Sequence, residues 1–93
     1  MLFAVMGFLK SVGDRPSGRS QAEMNEHLGQ QMLQLRLAGP LKNREGAQIG
    51  LMVLIEAADF AAAESYLHES PNFKNDLYER VEVAQYALEV GNL

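Results

Sequence analysis

The run "IGLMVLIEA", residues 49 to 57, constrains this chain more than any other stretch. Side chains on an extended strand alternate between two faces, and both faces of this run are mostly apolar. A strand of that kind belongs inside a sheet rather than at its edge, so the chain must supply a neighbour on each side of it. Ninety-three residues make one domain, expected to span 1–93. By surface-to-volume scaling it buries somewhat over ~60% of the surface its unfolded form exposes, so the core is thin.

The neighbours are legible. Leu2 to Leu9 is apolar over a strand's length and is closed by "KSVGDRPSGRS", where Gly13, Pro16 and Gly18 oppose regular structure. Ser20 followed by Glu23 matches a capping box and predicts a first helix from about Gln21 to Gln31, with Met24 and Leu28 on one stripe. "MLQLRLAGP" alternates, with Leu33, Leu35 and Leu37 pointing one way and Gln34, Arg36 and Ala38 the other. This predicts a strand ended by Gly39-Pro40. After the turn "LKNREGAQ" and the buried strand, Asp59 is a good N-cap for a second helix, "FAAAESYLHE". Phe60, Ala63 and Leu67 share its inner face, and Pro71 bars continuation past Ser70. "YERVEVAQYAL" then places Val81, Val83 and Gln85 on one face and Arg80, Glu82 and Ala84 on the other.

Strand, helix, strand, strand, helix, strand is the order of the ferredoxin-like α+β fold: a four-stranded antiparallel sheet with both helices on one face. The other face would be open, carrying Met6 or Phe8 with Met52 and Leu54. An apolar patch of that kind predicts a homodimer formed through the sheet face.

Composition narrows the class. The chain is 47% hydrophobic and has no cysteine, so neither a disulfide nor a thiolate metal site forms, and a cytoplasmic location is expected. "MLFAVMGFL" lacks the basic leader of a secretion signal and is too short to span a bilayer; no membrane association is expected. A formal net charge of −4 opposes phosphate-backbone binding, and the third strand lacks an aromatic stacking platform for RNA, so nucleic acid is excluded as a partner. No cofactor is expected. His27 and His68 with Glu26 and Glu69 do not have ligand spacing, so no metal is expected either.

With "AGPL" at Gly39-Pro40, a glycine-bearing turn, "IEAADFAAAESYL" leading into the second helix and "SPNF" before the last strand, the chain resembles the YciI-like (YCII-related) family of the dimeric α/β-barrel superfamily. The resemblance covers nearly the whole chain. It implies this fold, a dimer, and a His/Asp centre in a cleft beside the sheet; related members carry out eliminations or isomerisations on small ring compounds, and most have no assigned reaction. Two positions depart from the family pattern. Ser70 stands where the family has the aspartate of an Asp-Pro-aromatic motif, and an ungapped comparison from Gly39 puts Ala22 at the place of the family histidine. The His/Asp centre is therefore incomplete, and His27 would replace its histidine only through a shifted helix.

The candidates follow from these placements. His27 is the candidate general base, with packing at the helix–sheet boundary as the plainer reading. Ser70 is the candidate hydrogen-bonding partner where relatives carry Asp. Arg15 and Arg19 bracket "PSG" before the first helix and are candidates for holding an organic anion, or else belong to a solvated loop. Arg36, with Arg80 and Glu82, either lines a polar pocket or forms ion pairs across the subunit boundary. His68 caps the negative end of the second helix. The expected function is binding or conversion of a small organic acid or ring compound near the first helix; the alternative is a non-catalytic homodimeric interaction or regulatory module.

Overall fold

The structure, a computed structural model, describes residues 1–10 and 35–92. The expected first helix, the loop before it, and with them Arg15, Arg19, Ala22 and His27, lie outside the described residues. Four strands are present: β1 (Leu2–Leu9), β2 (Leu35–Lys42), β3 (Gln48–Glu56) and β4 (Tyr78–Tyr86), with helices α1 (Phe60–His68) and α2 (Pro71–Lys74) between β3 and β4. The sheet runs β2-β3-β1-β4, and every neighbouring pair is antiparallel. This is the ferredoxin-like order, and it places β3 inside the sheet, as its two apolar faces require.

The core lies on one face. Phe3 and Val5 of β1 stand opposite Ile55 and Val53 of β3, and Val83 of β4 stands opposite Val5. Ala63, Tyr66 and Leu67 of α1 close over Phe3, Val5, Val53 and Ile55. Phe3 and Ile55 are fully buried, each contributing ~1.5–3 kcal/mol by transfer from water. Phe60 stays half exposed, yet its ring meets that of Phe3 edge-on, with centroids 4.9 Å apart at 73°. Tyr66, which the sequence pattern did not assign to the inner face, is buried there instead.

The helix begins as its residues dictate. Asp59 is extended, and its Oδ1 accepts from the Ala62 N–H at 2.8 Å, an N-cap worth ~1 kcal/mol. It ends at His68, one residue earlier than the sequence implied. Pro71 does more than stop it. The proline occupies the first turn of α2, where its missing N–H has no helical partner to lose, and Ser70 caps that helix by accepting from the Phe73 N–H at 3.3 Å. α2 closes in a Schellman arrangement: the Leu77 N–H bonds to the Asn72 carbonyl and the Asp76 N–H to the Phe73 carbonyl, both at 3.0 Å. Asp76 takes the left-handed conformation this closure needs, at φ 58°.

β2 departs from the sequence reading twice. It continues through Gly39 and Pro40 to Lys42, because it is an edge strand and a proline there forfeits no ladder bond on its outer side. It also carries an irregularity: Leu35 opposes Ile55 and Leu37 opposes Leu54, two steps on β2 against one on β3. The extra residue, Arg36, makes this a bulge, so Leu35 faces the core while Leu37 turns to the opposite face. The β2–β3 turn is held by Asn43, whose Oδ1 accepts from the Glu45 and Ala47 N–H groups. Gly46 supplies its positive φ of 85°.

The opposite face carries Ala4, Met6 and Phe8 of β1, Met52 and Leu54 of β3, and Arg80, Glu82 and Ala84 of β4, paired across the strands. Neither described helix packs on it. No helix among the described residues is long and apolar enough to cross a membrane.

Candidate functional site

Polar groups gather at the end of the sheet where β1 finishes. The Leu9 carboxy-terminal end of β1 meets Tyr78 of β4. Tyr78 lies flat on Gly7: a Cβ on that glycine would collide with its ring. A strand glycine often marks such a close approach. The Tyr78 hydroxyl accepts from Asn72 Nδ2 at 3.2 Å, and Asn72 is only 4% exposed. Its Oδ1 is buried and accepts no hydrogen bond among the described residues. Burial pushes the Tyr78 phenol above its ordinary pKa, against the opposing pull of the Asn72 bond. Tyr66 nearby is pushed up to about 12, chiefly by burial and then by the neighbouring Tyr78.

Ser70 belongs to the same end. It is 5% exposed, and its oxygen is engaged in capping α2. His68 packs its ring on Phe73, with centroids 4.8 Å apart, tying the last turn of α1 to α2.

At the strand ends an open groove of about 630 Å³ is lined by Phe8, Leu9, Ile49, Glu79 and Arg80. The Arg80 guanidinium carbon lies 4.3 Å from the centre of the Phe8 ring, a cation–π contact.

Arg36 lies elsewhere. Its Nη2 bonds to Glu56 Oε1 at 3.1 Å, and the Met1 amino group meets the other oxygen of the same carboxylate at 3.2 Å. The Arg36 hydrogen bond foremost, and the amino group after it, hold the Glu56 carboxyl below its usual pKa. Glu56 opposes Leu2 whereas Arg80 opposes Phe8. Six residues of strand, roughly 20 Å at ~3.3 Å per residue, separate the two arginines. Of the sequence candidates that are described, Ser70 therefore sits at the Leu9 end and Arg36 at the far end.

Asn72 and Tyr78 are not distinguished as site residues by the sequence, whereas Arg80 is a polar-pocket candidate there and Phe8 is its unforeseen partner. Gly7 inside an apolar strand was the available signal for Tyr78. Asn72 had none, since its burial follows from α2, which the sequence reading treated as a stop.

An antiparallel β2-β3-β1-β4 sheet with its described helices on one face defines a ferredoxin-like α+β protein. The chain belongs to the YCII-related family: the YCII-related domain matches residues 2–87. Among solved structures it is similar to 5-chloro-2-hydroxyhydroquinone dehydrochlorinase (TftG) from Burkholderia phenoliruptrix AC1100, in complex with 2,5-dihydroxybenzoquinone. The TM-score is 0.74 over 94% of each chain, at 18% identity, a likeness of fold. Comparison with curated proteins returns no match.

Proposed function

We propose that the chain is a small cytoplasmic homodimer that binds a small organic acid or ring compound in a cleft at the Leu9 end of β1. The observation that carries this reading is the groove that Arg80 lines with Phe8, Leu9, Ile49 and Glu79 at that end, at the same end of the sheet as the Ser70, Asn72 and Tyr78 cluster on the helix-covered face. There the chain runs on into the segment bearing Arg15, Arg19 and His27. A fold neighbour in complex with 2,5-dihydroxybenzoquinone supports the ligand class. In this reading His27 is the proton-transfer residue, Arg15 and Arg19 position an anion, and Ser70 offers a hydroxyl where relatives carry Asp. Arg36, paired with Glu56 at the far end of the sheet, takes no part in this cleft.

The apolar residues of the sheet face on which neither described helix packs support dimerisation there, because a second copy would bury Met6, Met52 and their neighbours. A thermal-shift screen of organic acids, phenolics and phosphates tests the binding. A ligand at a hundred times its Kd stabilises the native form by ~2.7 kcal/mol, a rise of several degrees in Tm. No shift with any of them contradicts the reading, and turnover unchanged by His27→Ala removes the histidine from it.

One observation favours a second reading, a non-catalytic homodimeric interaction or regulatory module. The Ser70 oxygen is occupied as a cap, and a neutral hydroxyl cannot orient an imidazole as a carboxylate does. This reading expects a dimer in solution and no ligand-dependent shift.

A further inference from the structure

We infer that the groove at the Leu9 end is a site for a small planar ring bearing one anionic group and a hydroxyl, and that Arg80 anchors the anionic group. The inference rests on the small-molecule reading above and assigns its ligand class and anchoring residue.

The first support is the state of Arg80. Its guanidinium stacks on Phe8, which fixes the orientation of the fork without consuming its N–H donors. A guanidinium so held is pre-organised to receive a carboxylate or similar oxyanion through two parallel hydrogen bonds. Among the described residues Arg80 forms no ion pair, whereas Arg36 is engaged with Glu56 and Lys10 with Asp76.

The groove's walls supply the rest. Phe8, Leu9 and Ile49 are apolar, and about 630 Å³ falls within the ~300–1,000 Å³ usual for small-molecule sites. A single ring fits that space. Glu79 lines the same groove without pairing to Arg80, and Glu82 lies two residues beyond Arg80, opposite Met6. These carboxylates disfavour a ligand of high negative charge, while Glu79 is an acceptor for a ring hydroxyl. The complementary ligand thus carries one oxyanion for Arg80, one hydroxyl for Glu79, and a flat apolar body for the apolar wall.

The test is calorimetric titration of the full chain with para-hydroxybenzoate and with its neutral isostere para-hydroxybenzamide. The acid is expected to bind about tenfold or more tightly than the amide, as loss of one charge-assisted contact implies. Arg80→Gln, shown by light scattering to keep the native assembly because Arg80 lies on the face assigned to the second copy, should abolish that preference, Arg80→Lys should restore part of it, and Arg36→Gln should leave it intact. Equal affinities of the acid for the native chain and Arg80→Gln would overturn the inference, and so would failure of the acid to bind. If organic acids bind Arg80→Gln normally and are lost in Arg19→Gln, the anchor is wrong while the small-molecule reading survives. If no organic acid binds the native chain, both fall.

Discussion

Tyr78 rests its ring on the backbone of Gly7, in the space a Cβ would occupy, and from there its hydroxyl receives Asn72. One missing side chain on β1 thereby sets the position of an aromatic on β4 and of an amide on α2. Gly7→Ala should displace the ring and destabilise the chain by ~1–3 kcal/mol, the usual cost of overpacking. Urea unfolding measures it. In a Tyr78→Ala background the same change should cost little, and an equal cost in both backgrounds would show that the ring is not what Gly7 accommodates.

Ser70 joins the two helices by capping α2. Ser70→Ala should lower stability by ~1 kcal/mol, whereas Ser70→Asp, which caps comparably, should retain more of it. Denaturant midpoints of the two variants decide this; an alanine variant as stable as the native chain would deny the cap a role.

The raised phenol pKa values have a definite sign. Tyr66 ionises near 12 in the folded chain against an ordinary 10.0, and Tyr78 shifts in the same direction. Between those limits the unfolded chain has lost protons that the folded chain keeps, so stability falls with rising pH. The contribution is fully present below about pH 10 and is lost as pH climbs through about 12. Unfolding midpoints across that window should decline more steeply for the native chain than for Tyr66→Phe. Parallel declines would contradict the assignment.

Asp76 occupies a left-handed position that costs an L-residue ~1–2 kcal/mol relative to glycine. Its ion pair with Lys10 at 2.7 Å is largely solvent-exposed, and such pairs contribute ~0–1 kcal/mol. Asp76→Gly should therefore be neutral or stabilising by up to ~1 kcal/mol, while Asp76→Val should destabilise by more than ~1 kcal/mol. Thermal denaturation distinguishes them, and a valine variant of native stability would mean the Schellman closure is not needed.

What the sequence disclosed, and what it withheld, has a physical pattern. β1, β3 and the start of α1 were legible because each is written locally, in apolar runs and in Asp59 before a helical stripe. The end of β2 was not, because whether Pro40 breaks a strand depends on which side of the sheet it faces, and only the strand order supplies that. The bulge at Arg36 likewise reverses Leu37 without any mark in an alternating pattern. Pro71 reads as a stop from the helix before it and acts as a first-turn residue for the helix after it. Of the candidate site, Ser70 was placed by family resemblance, whereas Arg80 gains its interest from a partner, Phe8, that lies seventy-two residues away in the chain and directly opposite on the neighbouring strand.

The account depends most on the sheet having its own helices on one side and a second copy on the other. Light scattering of the purified chain at high concentration is the direct measurement. The predicted mass is twice the 10.3 kDa of one chain, falling to that of a single chain when Met52→Glu puts a charge on the shared face. A native chain that scatters as a single 10.3 kDa particle at every concentration would contradict it.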